Sequence, residues 1–228
     1  MQNKLIVFDI DGTLTNTNHV DSVLFEKAIL DILPISSIDT EWHNYKYSTD
    51  AGILTEIIQS KLARNPTPEE IESIKSRFIS YLENTFTENQ SHCVPIEGAQ
   101  VIFEKISRLG WDIGIATGAW ERSALLKLKH ANIPYQTIPI AHSDDHIERE
   151  NIISMAISRA EAFYIKLSYS KLIYVGDRLW DKVAANNLKI DFIGVGDALK
   201  KVDNKDFFHI SDFTDSRLEK HLEVIAQN

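Results

Sequence analysis

Lys4-Leu5-Ile6-Val7-Phe8-Asp9-Ile10-Asp11-Gly12-Thr13 is the stretch that decides the fold. Five residues, apolar after Lys4 and partly β-branched, read as a buried strand, and a strand buried on both faces belongs to a parallel sheet. In an open parallel sheet, ligands bind at the carboxyl ends of the strands, and Asp9 falls there. Residues two apart at a strand end can point the same way, so Asp9 and Asp11 share one cleft. Gly12 lets the chain turn away with dihedrals closed to other residues. Two carboxylates so close repel unless a cation lies between them. Asp-x-Asp-Gly-Thr could be no more than an acidic turn, but directly behind an apolar strand that reading is weak.

Downstream, strands alternate with helices. Trp111–Ala116, a short strand within Tyr135–Ala141 broken by Pro139, Leu172–Val175, Phe192–Val195 and Phe207–Ile210 read as strands. Glu97–Leu109, Trp120–Ala131, Asn151–Ala162, Asp181–Asn187 and Arg217–Ala226 read as helices, with Gly110 as a left-handed cap. This alternation predicts an α/β, Rossmann-like parallel sheet with helices on both faces. Between the first strand and the rest, only helices are legible. Val20–Leu33 stops at Pro34, and Thr67-Pro68-Glu69-Glu70 is a capping box with proline at the first helical position. The expected organisation is a catalytic core of residues 1–17 and 92–228, with an all-helical cap, 18–91, inserted after the first strand.

Two further strand ends carry chemistry. Ile113–Ala116 runs into Thr117-Gly118-Ala119, where a hydroxyl and exposed amides could cradle a phosphate; alone, Thr-Gly is a weak signal that reads better as a bland turn. Leu172–Val175 runs into Gly176-Asp177, with Asp181 one helical turn on. Asp177 could complete a Mg²⁺ site with Asp9, or either aspartate could cap the next helix. Taken together, the groups after Phe8, Ala116 and Val175 form one constellation.

Asp9-Ile10-Asp11-Gly12-Thr13, Ile115-Ala116-Thr117-Gly118 and Val175-Gly176-Asp177-Arg178-Leu179-Trp180-Asp181 resemble three motifs of the phosphatase branch of the haloacid dehalogenase superfamily, and the likeness, phosphoglycolate phosphatase-like, covers most of the chain. The resemblance implies Asp9 as nucleophile and Asp11 as general acid and base. It implies Mg²⁺ held by Asp9, the Asp11 carbonyl and Asp177, with Thr13 and Asp181 behind these ligands. Thr117, Gly118 and Ala119 would bind the phosphoryl group. The family's third motif is usually a lysine; here Arg149 stands at about that spacing and is the expected cation. His146, Lys166 and Lys171 come next, the two lysines lying too near Asp177. The inserted helices resemble the first type of cap, with Trp42, Tyr45, Lys46 and Tyr47–Gly52, including Thr49 and Asp50, as a substrate-facing segment. Ser48–Gly52 reads equally as a helix N-cap turn, and Trp42 and Tyr45 as core aromatics. Trp120 could border the pocket or pack on the sheet.

The activity implied is hydrolysis of a small-metabolite phosphomonoester through an aspartyl-phosphate. A phosphomutase of the same fold and a non-catalytic phosphoester-binding module are the rivals, and Asp11 argues against the latter because binding alone has no use for it. Members that cleave carbon–halogen bonds lack this acid, and transport ATPases carry threonine there. The formal charge of −9 argues against nucleic acid as a partner. No run of about 20 apolar residues suggests a membrane span, and nothing implies an obligate protein partner. One cysteine, Cys93, permits no intrachain disulfide and reads as a small buried hydrophobe, so a cytoplasmic location is expected.

Overall fold

A computed structural model describes residues 3–202 and 206–227 of the chain. Six parallel strands run in the order β3-β2-β1-β4-β5-β6: β1 Lys4–Phe8, β2 Asp112–Ala116, β3 Ile140–Ala141, β4 Lys171–Gly176, β5 Asp191–Val195 and β6 Phe208–Ile210. The alternation along β1 divides the core. Ile6 and Phe8 face one layer, which includes helices α4 (Ala99–Arg108), α5 (Glu121–His130) and α8 (Arg217–Gln227). Leu5 and Val7 face the other, with α6 (Arg149–Phe163) and α7 (Leu179–Leu188). The side-chain period of two in a strand produces this split.

Helices α1 (Asn18–Ile32), α2 (Asp50–Leu62) and α3 (Pro68–Glu88) fill the interval between β1 and α4, with two short 3-10 turns and, among the described residues, no strand of the sheet. The chain leaves and re-enters at one place: Asn16 N donates to the Val94 carbonyl at 2.8 Å and Ile96 N to that of Leu14 at 3.0 Å. An aromatic cluster joins this helical layer to the core. Phe25 of α1 lies 5.5 Å from both Phe78 of α3 and Trp120 of the core, centroid to centroid.

The capping box at Thr67 forms as read, with Glu70 N donating to Thr67 Oγ1 and Thr67 N to Glu70 Oε2. Several boundaries differ from the sequence reading. The short strand read within Tyr135–Ala141 occupies only Ile140–Ala141, after the break expected at Pro139, which has no N–H to donate, and Ile138 N turns back to the Tyr135 carbonyl. Helix α4 begins at Ala99 rather than Glu97, since Gly98 sits at φ +80°. Helix α1 starts at Asn18, two residues before the apolar pattern, where Asp21 N already bonds to the Thr17 carbonyl.

Phe78 is fully buried within the aromatic cluster. Phe78→Ala should cost about 3–5 kcal/mol by lost transfer energy and cavity. Denaturant unfolding measures this, and a change under about 1 kcal/mol would mean that the cluster does not anchor the helices.

Candidate functional site

Strand register brings the three strand ends level. Phe8 pairs with Ile115 on one side and Val175 on the other, so Asp9 emerges beside Ala116 and Gly176. Asp9 N donates to the Val175 carbonyl at 2.9 Å, and Thr117 N to that of Ala141 at 3.1 Å. The backbone at Gly12 then turns at φ +77°, and a Cβ there would collide with the Asp177 carboxylate and the Asn18 amide. Gly12 is therefore required twice, for its dihedral and for the close approach.

A cleft of about 690 Å³ opens over these ends. Asp9, Asp11 and Asp177, the loop Thr117-Gly118-Ala119, Arg149, and Thr49 and Asp50 all line it. Phe25, Trp42, Ile53 and Trp180 add apolar wall. Thr13 is buried away from it, with no side-chain partner, and Asp181 lies beneath it, also fully buried.

Carboxylate oxygens of Asp9, Asp177 and Asp181 lie within 4.8 Å of one another. Among the described residues this is the one group of three acidic, His or Cys side chains so gathered. Burial, then Asp181, raises the Asp9 pKa well above the ordinary carboxylate value, against the opposing pull of Arg149. Asp177 is pushed up to about 7 by burial and by Asp181. Three repelling oxygen donors of this kind suit a hard divalent cation, which would offset the repulsion.

Arg149, expected from the family resemblance and its spacing to be the cation, is buried in this cluster. Its Nη1 lies 3.4 Å from Asp9 Oδ1 and 3.1 Å from Asp181 Oδ1, and donates to Tyr174 Oη at 3.2 Å. Its Nε and Nη2 donate to the Ser48 hydroxyl and carbonyl at 3.0 and 2.6 Å. Burial works against its charge, but Asp181, Tyr174 and Asp9 hold its pKa above the ordinary arginine value. The other cations considered lie elsewhere: Lys166 pairs with Asp112, Lys171 opens β4 and bonds to Asn3 through its backbone, and the His146 ring accepts from Glu148 N.

Several cleft residues also serve the fold. Thr49 caps α2, accepting from Gly52 N, and donates to the Ile147 carbonyl at 2.7 Å. Asp50 accepts from Trp120 N at 3.0 Å, while its own N–H donates to the Gly118 carbonyl at 2.8 Å. Thr117 Oγ1 accepts from Ala119 N. Asp181 accepts from Arg178 N at the start of α7, the capping bond weighed for it, whereas Asp177 does not cap that helix and accepts instead from Asn18 Nδ2 at 2.8 Å. Trp120 packs in the core and does not line the cleft; Trp42 lines it, bonds to Ser22 and stacks on Tyr45. Cys93 is buried, as read.

Sequence reasoning missed Lys127. It is fully buried in α5 and ion-paired with Asp11 at 2.8 Å and with Asp21 of α1. Burial depresses its charge, but Asp11, Asp21 and Asp50 raise its pKa above the ordinary lysine value. Its signal was a charge inside the apolar stripe Ala124, Leu128, Ala131. Tyr174, a polar ring within the buried strand β4, was missed too.

A profile of the haloacid dehalogenase-like hydrolases matches residues 6–195, a span that holds every one of these groups. The chain belongs to that family. A search of curated proteins finds no match. Among solved structures, a hydrolase from Pseudomonas syringae is 21% identical, with a TM-score of 0.72, over 98% of this chain and 99% of that one. A beta-phosphoglucomutase from Clostridium difficile is 18% identical, TM-score 0.70, over 100% and 98%. A predicted phosphoglycolate phosphatase from Haemophilus somnus is 17% identical, TM-score 0.58, over 96% and 99%. At these identities the likeness establishes a shared fold: the parallel sheet and its inserted helices. Among the described residues, no helix of this family member is long and apolar enough to cross a membrane.

The raised Asp177 carboxyl sets a pH dependence. The folded chain holds this proton more tightly than the unfolded chain, so stability falls as pH rises from the ordinary 3.8 to about 7. Thermal melts of metal-free protein should therefore show a fall in Tm across that window, one that Asp177→Asn reduces and excess Mg²⁺ offsets most at the upper end. An identical slope in wild type and Asp177→Asn would refute the assignment.

Proposed function

We propose that this chain is a Mg²⁺-dependent phosphatase that hydrolyses a small phosphorylated metabolite through an aspartyl-phosphate on Asp9. The observation that carries this reading is the setting of Asp9: a buried carboxylate at a strand end, with Arg149 against it and Asp177 and Asp181 around it. The family membership supports hydrolytic chemistry, and the apolar wall of Phe25, Trp42, Ile53 and Trp180 supports a small organic group as leaving partner.

In this reading Asp9 and Asp177, with the Asp11 carbonyl, hold the metal, and Asp181 supports them. When bound, Mg²⁺ supplies positive charge to the phosphate oxygens. Thr117 and the amides of Gly118 and Ala119 receive the phosphoryl group, and Arg149 contributes a charge that cannot deprotonate. Thr49 and Asp50 shape the far wall. A carboxylate oxygen of Asp9 attacks phosphorus, the ester P–O bond breaks, and Asp11 gives its proton to the departing oxygen. Asp11 then takes a proton from water, which attacks the same phosphorus; inorganic phosphate leaves and Asp9 is regenerated. Residues 18–91 act as a cap that excludes bulk water and contacts the leaving group. No step calls for nucleic acid, a membrane or a second protein, and a cytoplasmic setting suits the chemistry.

Phosphate release from an aryl phosphate and a panel of phosphorylated metabolites tests the reading. Wild type should turn over with Mg²⁺, stop with EDTA and recover on Mg²⁺ addition, while Asp9→Asn is inactive with an intact melt. Activity of Asp9→Asn near that of wild type would refute the nucleophile. Phosphoryl transfer to a second sugar phosphate without net phosphate release would identify a mutase instead.

Asp11→Asn should lose about 10² to 10⁴ in kcat/KM on alkyl phosphates, as for removal of a general acid. The loss should be smaller on aryl phosphates, whose leaving groups need less protonation. Equal losses on both would remove Asp11 from that role.

A further inference from the structure

The geometry points to Lys127 as a positioning residue that fixes the Asp11 carboxylate from behind the cleft wall, an inference that rests on the acid–base role proposed for Asp11. Lys127 sits on the buried face of α5 between Ala124 and Leu128, and none of it reaches solvent. Its Nζ straddles the carboxylate, 2.8 Å from Asp11 Oδ1 and 2.9 Å from Oδ2, and also pairs with Asp21. From the other direction Thr17 Oγ1 donates to Asp11 Oδ1 at 2.5 Å, and Thr17 is itself in contact with Thr15 Oγ1 at 2.7 Å. Asp11 is thus gripped by a buried ammonium and a buried hydroxyl.

Two features separate this from packing and from substrate binding. A lysine at an apolar helix position must be desolvated at a cost of several kcal/mol, which an aliphatic residue there would avoid. The cation is in direct contact with the two carboxylates it orders, Asp11 and Asp21. Asp11 and Asp21 line the cleft but Lys127 does not, and its ammonium is already directed at both. It therefore has no donor facing a second anionic group on the substrate, and its influence on the reaction passes through Asp11. Misplacing a reacting group by about 1 Å can cost 10²-fold in rate.

The test is steady-state kinetics of Lys127→Met, Lys127→Arg, Asp11→Asn and the Lys127→Met/Asp11→Asn pair, each on one alkyl and one aryl phosphate, with thermal melts. Lys127→Met should lower kcat/KM on the alkyl phosphate by about 10²-fold, less on the aryl phosphate, and should add little in the Asp11→Asn background. Lys127→Arg should recover part of the loss. Should Lys127→Met fail to fold, Lys127→Met/Asp21→Asn removes one cation and one carboxylate together and should show the same substrate split. Equal losses on both substrates, additive losses with Asp11→Asn, or a rise in KM confined to substrates with a second anionic group would overturn the proposal. A wild type inert on both phosphates would instead overturn the phosphatase reading and, with it, this one.

Discussion

Charge crowding at the carboxyl edge of the sheet is the constraint on which the rest of this structure depends. Asp9, Asp11, Asp21, Asp50, Asp177 and Asp181 converge on one small cleft, where low dielectric strengthens every repulsion. Two buried cations answer them, and they divide the work. Arg149 stands among Asp9, Asp181 and Tyr174; Lys127 stands among Asp11 and Asp21. Even with these cations in place, burial first and the neighbouring Asp181 second hold the Asp9 and Asp177 pKa values above the ordinary carboxylate value. A site in that condition is prepared for additional positive charge.

The same polar groups bind the helical layer to the sheet. Ser48, Thr49 and Asp50 bond to Arg149, Ile147, Trp120 and Gly118, so the start of α2 is stitched across the phosphate-loop candidate. Gly118 shows how tight this seam is: a Cβ there would lie 2.5 Å from Arg149 Nη2 and 2.6 Å from the Ser48 carbonyl. Beyond the seam the contact is apolar, through Phe25, Phe78 and Trp120. The residues that line the cleft and those that hold the two layers together are thus partly the same.

Much of the site was legible because strand ends are local features. A short apolar run followed by an acid or by Thr-Gly marks both the strand and the point where its chemistry emerges, and the parallel register then levels Asp9, Thr117 and Asp177. Arg149 was legible only by its distance from Asp177, with nothing local to distinguish it from a solvated helix start. Lys127 left only a faint trace, a charge inside an apolar helix stripe, since a charge in a helix ordinarily lies on its wet face and burial depends on what packs above it. The short strand within Tyr135–Ala141 and its break at Pro139 were legible, but that it pairs only over Ile140–Ala141 was decided by the sheet.

The sequence by itself determined the class of fold, the order of its elements and the three strand-end groups, because apolar period and turn chemistry act over a few residues. Only the tertiary structure decided which charges meet. Arg149 and Asp9 are 140 residues apart, and Lys127 and Asp11 116, so their pairing exists only once the sheet order and helix packing have closed those distances. Coulomb interactions of a few ångströms depend on where the chain returns, and that is a property of the whole fold.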